Sequence, residues 1–122
     1  MLRTGVDVMD LDRLERALQR HGDAFLHRIY TDAEIERYGG RVPSLAARWA
    51  AKEAVAKALG TGIGEVGWKE IEVLEDERRA PTLMLYGRAA ELAHELGLSA
   101  WAISLSHTDS IAIAMVVAMG SS

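Results

Sequence analysis

Three side chains, Asp7 near the start of the chain and Glu53 and Lys57 near its middle, are of the types that chemistry at a phosphate needs. Two carboxylates supply hard oxygen ligands of the kind that hold Mg²⁺ together with several waters and substrate phosphates. Glu53 and Lys57 lie four residues apart and therefore on one face of a helix, with Trp49 one turn earlier on the same stripe. Arg48 and Lys52 add two more cations to that helix, and three cations around one glutamate suit a polyanionic ligand. A Glu–Lys pair at this spacing is also the ordinary surface pair, worth only ~0.2–0.5 kcal/mol. The flanks argue against that reading. Ala46, Ala50, Ala54 and Ala58 are small enough for close packing, and Leu45, Val55 and Leu59 make the rod apolar nearly all round. A charge in such a place is costly unless it is paired or bound to a ligand. Asp7 by itself carries less, since a strand-end carboxylate also serves as a helix cap.

Two further places gather polar groups. Gly60-Thr61-Gly62-Ile63-Gly64 follows the charged helix, and its glycines open backbone conformations that let a ligand approach closely. Ser104-Leu105-Ser106-His107-Thr108 leads into a turn, where hydroxyls, an imidazole and backbone N–H groups meet at a strand end. A serine–histidine nucleophile pair is rejected there, because adjacent strand residues point to opposite faces and no G-x-S-x-G elbow is present. A phosphate contact is the better functional reading.

The elements that position these residues follow from periodicity. Leu2 to Met9 reads as a first strand, and Asp10 starts a helix with leucines at 11, 14 and 18 on one face. Asp23 to Ile29 reads as a short helix, and Thr31-Asp32-Ala33-Glu34 fits a capping box opening another that ends near Gly39-Gly40. Pro43-Ser44 opens the charged helix and Gly60 closes it. Trp68 to Leu74 and Thr82 to Tyr86 read as a hairpin, Arg88 to Leu96 as a helix closed by Gly97, and Ala100 to Ser106 with Ile111 to Met119 as a second hairpin. Both faces of the last strand are apolar, which points to a subunit interface and a homo-oligomer, since so small a domain has little material to cover both.

The 122 residues suit one domain, 1–122. No cysteine is present, so thiolate metal sites and thiol nucleophiles are excluded, and no run approaches the ~20 apolar residues of a membrane span. The expectation is a cytoplasmic protein without a membrane association. A net charge of −4 argues against a nucleic-acid partner.

Gly5-x-Asp7 with Arg13, then Arg48-Trp49-Ala50-Ala51-Lys52-Glu53-Ala54-x-x-Lys57-Ala58 running into Gly60-Thr61-Gly62, and finally Ser104-x-Ser106-His107-Thr108, together resemble the holo-acyl-carrier-protein synthases, the small type of 4′-phosphopantetheinyl transferase. The middle block is the specific one. Phe25-x-x-Arg28-Ile29-x-Thr31-x-x-Glu34 also resembles the family, whereas the turn Arg78-Arg79-Ala80-Pro81 departs from it, members often having glycine before the proline. The resemblance implies an α+β fold, an antiparallel sheet packed against helices, assembled as a homotrimer with active sites between subunits. It implies Mg²⁺-dependent transfer of the phosphopantetheine arm of coenzyme A to a serine of apo acyl carrier protein, releasing adenosine 3′,5′-bisphosphate. On this resemblance Asp7 and Glu53 hold Mg²⁺, Glu53 helps to deprotonate the serine, and Lys57 stabilises the leaving bisphosphate. Arg48, His107 and Thr108 contact coenzyme A phosphates, and Gly60 to Gly62 pass near the nucleotide. Lys52 fits either phosphate binding or structural pairing. Arg13, Arg16 and Arg20, with Arg28 beyond them, form a basic stripe in an acidic protein. Periodicity alone fits a solvated face, and the resemblance turns it into a docking surface for an acidic carrier, through Arg13, Arg20 and Arg28. The rival readings are a Mg²⁺-dependent phosphohydrolase acting on a coenzyme A-like pyrophosphate and a non-catalytic nucleotide-binding module.

Overall fold

The computed structural model describes residues 1–120. Its elements, in chain order, are β1 (Leu2–Asp10), α1 (Leu11–His21), α2 (Asp23–Ile29), α3 (Asp32–Tyr38), α4 (Val42–Leu59), β2 (Ile71–Glu75), β3 (Pro81–Leu85), α5 (Gly87–Glu95), β4 (Ala100–His107) and β5 (Ile111–Met119). The architecture is α+β. A three-stranded antiparallel sheet in the order β1-β5-β4 carries α4 across one face, and β2 and β3 form a separate hairpin.

Small residues set the spacing between α4 and the sheet. Ala46, Ala50, Ala51, Ala54 and Ala58 on the helix and Ala112, Ala114, Val116 and Ala118 on β5 are all fully buried. At Gly5 on β1 the approach is closest, and a Cβ there would collide with the carbonyl oxygen of Ala54. Residues 5, 7 and 9 of β1 share that face by strand alternation, so Asp7 is held beneath the helix one pleat from the contact. Register then fixes its neighbours in the sheet, Asp7 opposite Ala114 and Ala114 opposite Leu105. At its end α4 stops on Gly60, whose φ of 82° is left-handed and lets its N–H reach the Ala56 and Lys57 carbonyls.

The other face of the sheet is bare. Val6, Val8, Ile111, Ile113, Met115 and Met119 lie on it, each between 37% and 53% exposed. The two-faced apolar character read in the last strand is thus real, with α4 covering one face only.

One expectation of secondary structure needed correction. Trp68 to Glu70 is a turn of 3₁₀ helix and not the start of a strand, because the Glu70 carboxylate accepts from the N–H groups of Gly67 (2.7 Å) and Arg88 (2.9 Å) and ties the segment to α5. The β2–β3 turn closes without a glycine. Asp76 accepts from the N–H groups of Arg78 and Ala80, and Arg79 takes the left-handed conformation with φ 64°. Among the described residues no helix is long and apolar enough to cross a membrane.

Candidate active site

The capping box at Thr31 forms as read, with Thr31 Oγ1 accepting from Glu34 N–H and Glu34 Oε1 accepting from Thr31 N–H. Glu34 does more than cap. It is fully buried, its Oε1 also accepts from Lys52 Nζ at 2.8 Å, and its Oε2 accepts from the Val73 N–H at 2.8 Å. Lys52, equally buried, gives its other protons to the carbonyls of Trp68 and Ile71. Burial pulls the Lys52 ammonium below its usual range, and the Glu34 carboxylate opposes that pull. Of the two roles open to Lys52, structural pairing is therefore the one it has. Arg48 is held in the same way: it is only 5% exposed, its Nε donates to the Val73 carbonyl at 2.9 Å, Nη1 donates to Ser44 O at 3.3 Å, and the guanidinium stacks 3.5 Å from the Tyr38 ring centroid. Both cations fasten β2 and α3 to α4.

The opposite side of α4 is arranged differently. Lys57 Nζ lies 3.0 Å from Asp7 Oδ1 and 3.0 Å from the Val6 carbonyl, which joins the helix to β1 across fifty residues of sequence. Asp7 is partly buried in this pair and Lys57 largely exposed. Glu53 stands a helical turn before Lys57, half-buried. Its carboxyl is pushed above the usual glutamate range first by burial and then by the Asp7 carboxylate, while Lys57 and Arg13 pull it back. So Asp7, Glu53, Lys57 and Arg13 share one electrostatic neighbourhood, as the sequence anticipated for the first three. Two carboxylates that repel each other while facing cations form a donor set that fits a hard divalent ion. No cluster of three or more metal-ligating side chains exists among the described residues, so protein would fill only part of such an ion's shell.

Arg13 enters through an aromatic cluster. Its guanidinium lies 5.1 Å from the Trp49 ring centroid, and Trp49 packs edge-on to Phe25 at 5.2 Å and to Trp68 at 6.2 Å. Arg13, Arg16, Arg20 and His21 border one surface hollow, and His21, Phe25 and Arg28 border the next. The basic stripe is therefore continuous over α1 and α2 and ends beside Glu53.

His107 and Thr108 sit in the β4–β5 turn. Thr108 Oγ1 accepts from the N–H groups of Ser110 and Ile111, and His107 Nδ1 is 3.3 Å from the Thr108 carbonyl. Both residues are exposed. Register places His107 in the row of Ala112 and Met9, two residues beyond the row of Asp7. Gly60 instead sits at the far end of β1, against the Arg3 guanidinium. The six residue steps from Arg3 to Met9 span about 20 Å of strand. Within a chain the Gly60–Gly62 loop and the His107–Thr108 turn lie toward opposite sides of the Asp7–Lys57 centre.

Glu34 is the structural centre that sequence reasoning missed, having been read only as a cap. The signal available was a lysine in an apolar rod, which demands a buried acid somewhere.

Comparisons with known proteins cover nearly the whole chain. The family model described as the 4′-phosphopantetheinyl transferase superfamily matches residues 3–116. A holo-[acyl-carrier-protein] synthase of Herpetosiphon aurantiacus is 49% identical, with 98% of this chain and 100% of the relative covered. One from Chloroflexus aggregans is 47% identical, over 97% of this chain and 95% of the relative. Among solved structures, the Helicobacter pylori holo-[acyl-carrier-protein] synthase in complex with coenzyme A superposes with a TM-score of 0.87 at 31% identity, covering 95% of this chain and 99% of that one.

Proposed function

Because the chain belongs to the 4′-phosphopantetheinyl transferase superfamily, we propose that it moves the phosphopantetheine arm of coenzyme A onto a serine hydroxyl of apo acyl carrier protein. The observation that carries the reading is the convergence of Asp7, Glu53 and Lys57 from β1 and α4 on one exposed spot. The serine oxygen attacks the phosphorus that bears pantetheine, the bond from that phosphorus to the bridging oxygen breaks, and adenosine 3′,5′-bisphosphate leaves. Glu53 takes the serine proton in this reading, and its raised pKa supports that role, since a more basic carboxylate is a better general base. Lys57 offsets the negative charge that gathers on the leaving phosphate. Asp7 holds Lys57 in place and, with Glu53, would bind Mg²⁺. That ion when bound neutralises pyrophosphate oxygens.

Carrier docking is assigned to Arg13, Arg20 and Arg28, whose stripe runs up to the reacting centre. His107 and Thr108 are the phosphate contacts for the nucleotide end, where hydroxyl, imidazole and turn N–H groups suit an anion. The bare apolar face of the sheet supports assembly with further copies, as a homotrimer with the sites between subunits. The same reading puts the protein in the cytoplasm.

Incubating the purified chain with coenzyme A, Mg²⁺ and an apo carrier tests the proposal. A carrier heavier by one phosphopantetheine arm supports it. Bisphosphate released without a carrier would instead indicate a hydrolase, and neither product a binding module.

A further inference from the structure

Trp49 buries a polar atom that bonds to nothing. The side chain is only 6% exposed, and its indole Nε1 has no hydrogen-bond partner among the described residues. A stranded donor of this kind costs stability, and a phenylalanine in its place would strand none. What the indole offers in exchange is its face. Phe25 of α2 packs against the ring at an interplanar angle of 67° and Trp68 of the 3₁₀ turn at 71°, so two separate elements grip it. Over the ring, 5.1 Å from its centroid, lies the Arg13 guanidinium. Indole is the aromatic surface that attracts a cation best. Arg13 is exposed and enters no ion pair among the described residues, so its charge stays open for a partner. Of the arginines in the basic stripe, 13, 16, 20 and 28, it alone rests on an aromatic ring among the described residues.

An exposed arginine that meets a carboxylate loses rotamer freedom when it does, and the loss weakens binding. Resting the guanidinium on a fixed ring beforehand removes part of that loss. Its planar form keeps the N–H edge free while the face is stacked. Place matters as well. Trp49 lies one turn before Glu53 on the same stripe of α4, so a carboxylate caught above this ring sits close to the reacting centre. We infer that Trp49 is a positioning residue for carrier docking, a platform whose π face holds Arg13 where it receives a carboxylate of the acidic carrier. This rests on the assignment of Arg13 to the docking surface and adds to it the group that orients the arginine. Its parts, α1, α2, the 3₁₀ turn and α4, all belong to one chain, so the platform is whole within a single subunit.

The test changes the electrons of the ring and hardly its shape. Tryptophans bearing one, two or three fluorines on the benzo ring are placed at position 49 by stop-codon suppression, in the parent and in Arg13→Gln. Steady-state kinetics are then measured with coenzyme A, Mg²⁺ and apo carrier. Fluorine draws charge from the π face, so the KM for the carrier is expected to climb with each fluorine, reaching about two- to fivefold. Turnover at saturating carrier and affinity for coenzyme A stay within about twofold of the parent, a split that a loss of packing would not give. In Arg13→Gln the KM starts higher and the series is flat. A flat series in the parent overturns the platform, and so does a rise of equal size in both backgrounds, because the ring would then act without Arg13. Failure of the docking assignment looks different: Arg13→Gln by itself would leave the KM for the carrier unchanged. Should the chain modify no carrier, the same series read as carrier binding by calorimetry decides in the same way.

Discussion

Helix α4 carries two lysine–carboxylate pairs, and they have opposite uses. Lys52 and Glu34 are wholly enclosed, with each charge met by several hydrogen bonds. Lys57 and Asp7 meet at nearly the same separation, 3.0 Å against 2.8 Å, yet Lys57 stays exposed and a second carboxylate, Glu53, is left short of positive charge. The first pair is complete and holds elements together. The second is incomplete in a way that another ion and a phosphate can finish.

The contrast breaks most readily at Lys52. Lys52→Met leaves Glu34 as a buried unpaired carboxylate, and urea denaturation is expected to show a loss of about 3–5 kcal/mol. Lys57→Met should cost under about 1 kcal/mol in the same measurement, the scale of a largely exposed pair. Equal losses would erase the distinction.

Activity should divide the other way. Glu53→Gln is expected to lower the turnover number by about 10²- to 10⁴-fold, read by mass spectrometry of the carrier, with the fold intact by circular dichroism. A smaller but more selective effect is expected for Arg13→Glu. The specificity constant for the carrier falls about tenfold, as for a lost interaction of about 1.4 kcal/mol, while coenzyme A binding measured by calorimetry holds. Equal losses for both would remove the docking surface.

The smallest effect concerns stability at the incomplete pair. The folded-state pKa of Glu53 is raised, so the native protein binds this proton more tightly than the unfolded chain does. Stability from this group is therefore greatest at low pH and declines as pH rises from the ordinary glutamate value through the raised one. With metal chelated, Glu53→Gln should melt slightly higher than the parent at neutral pH, and the gain should vanish in acid. A gain that persists in acid would mean that the charge is not its source.

Much of this was legible beforehand. Periodicity and caps placed β1, the five helices and the β4–β5 hairpin, because each rests on local signals such as Thr31 with Glu34 or Gly60 after Leu59. That Asp7, Glu53 and Lys57 belong to one site was legible through motif order, whereas the ion pair of Asp7 with Lys57 was not. The division of labour among the charges of α4 was not, since the partners of Lys52 and Arg48 are Glu34 and the Val73 carbonyl, brought in by tertiary packing that no helical spacing encodes. The 3₁₀ turn at Trp68 was hidden for a like reason: Glu70 secures it by bonding Arg88, eighteen residues on.

Gly5 does for this molecule what a shim does for two machined faces. Because even a methyl group there would meet the Ala54 oxygen, the thickness of one hydrogen atom sets how far the strand bearing one carboxylate stands from the helix bearing the other. Selection on catalysis and selection on folding therefore bear on the same gap, and an engineer wishing to widen the centre for a larger ion would have to begin at a residue that has no side chain.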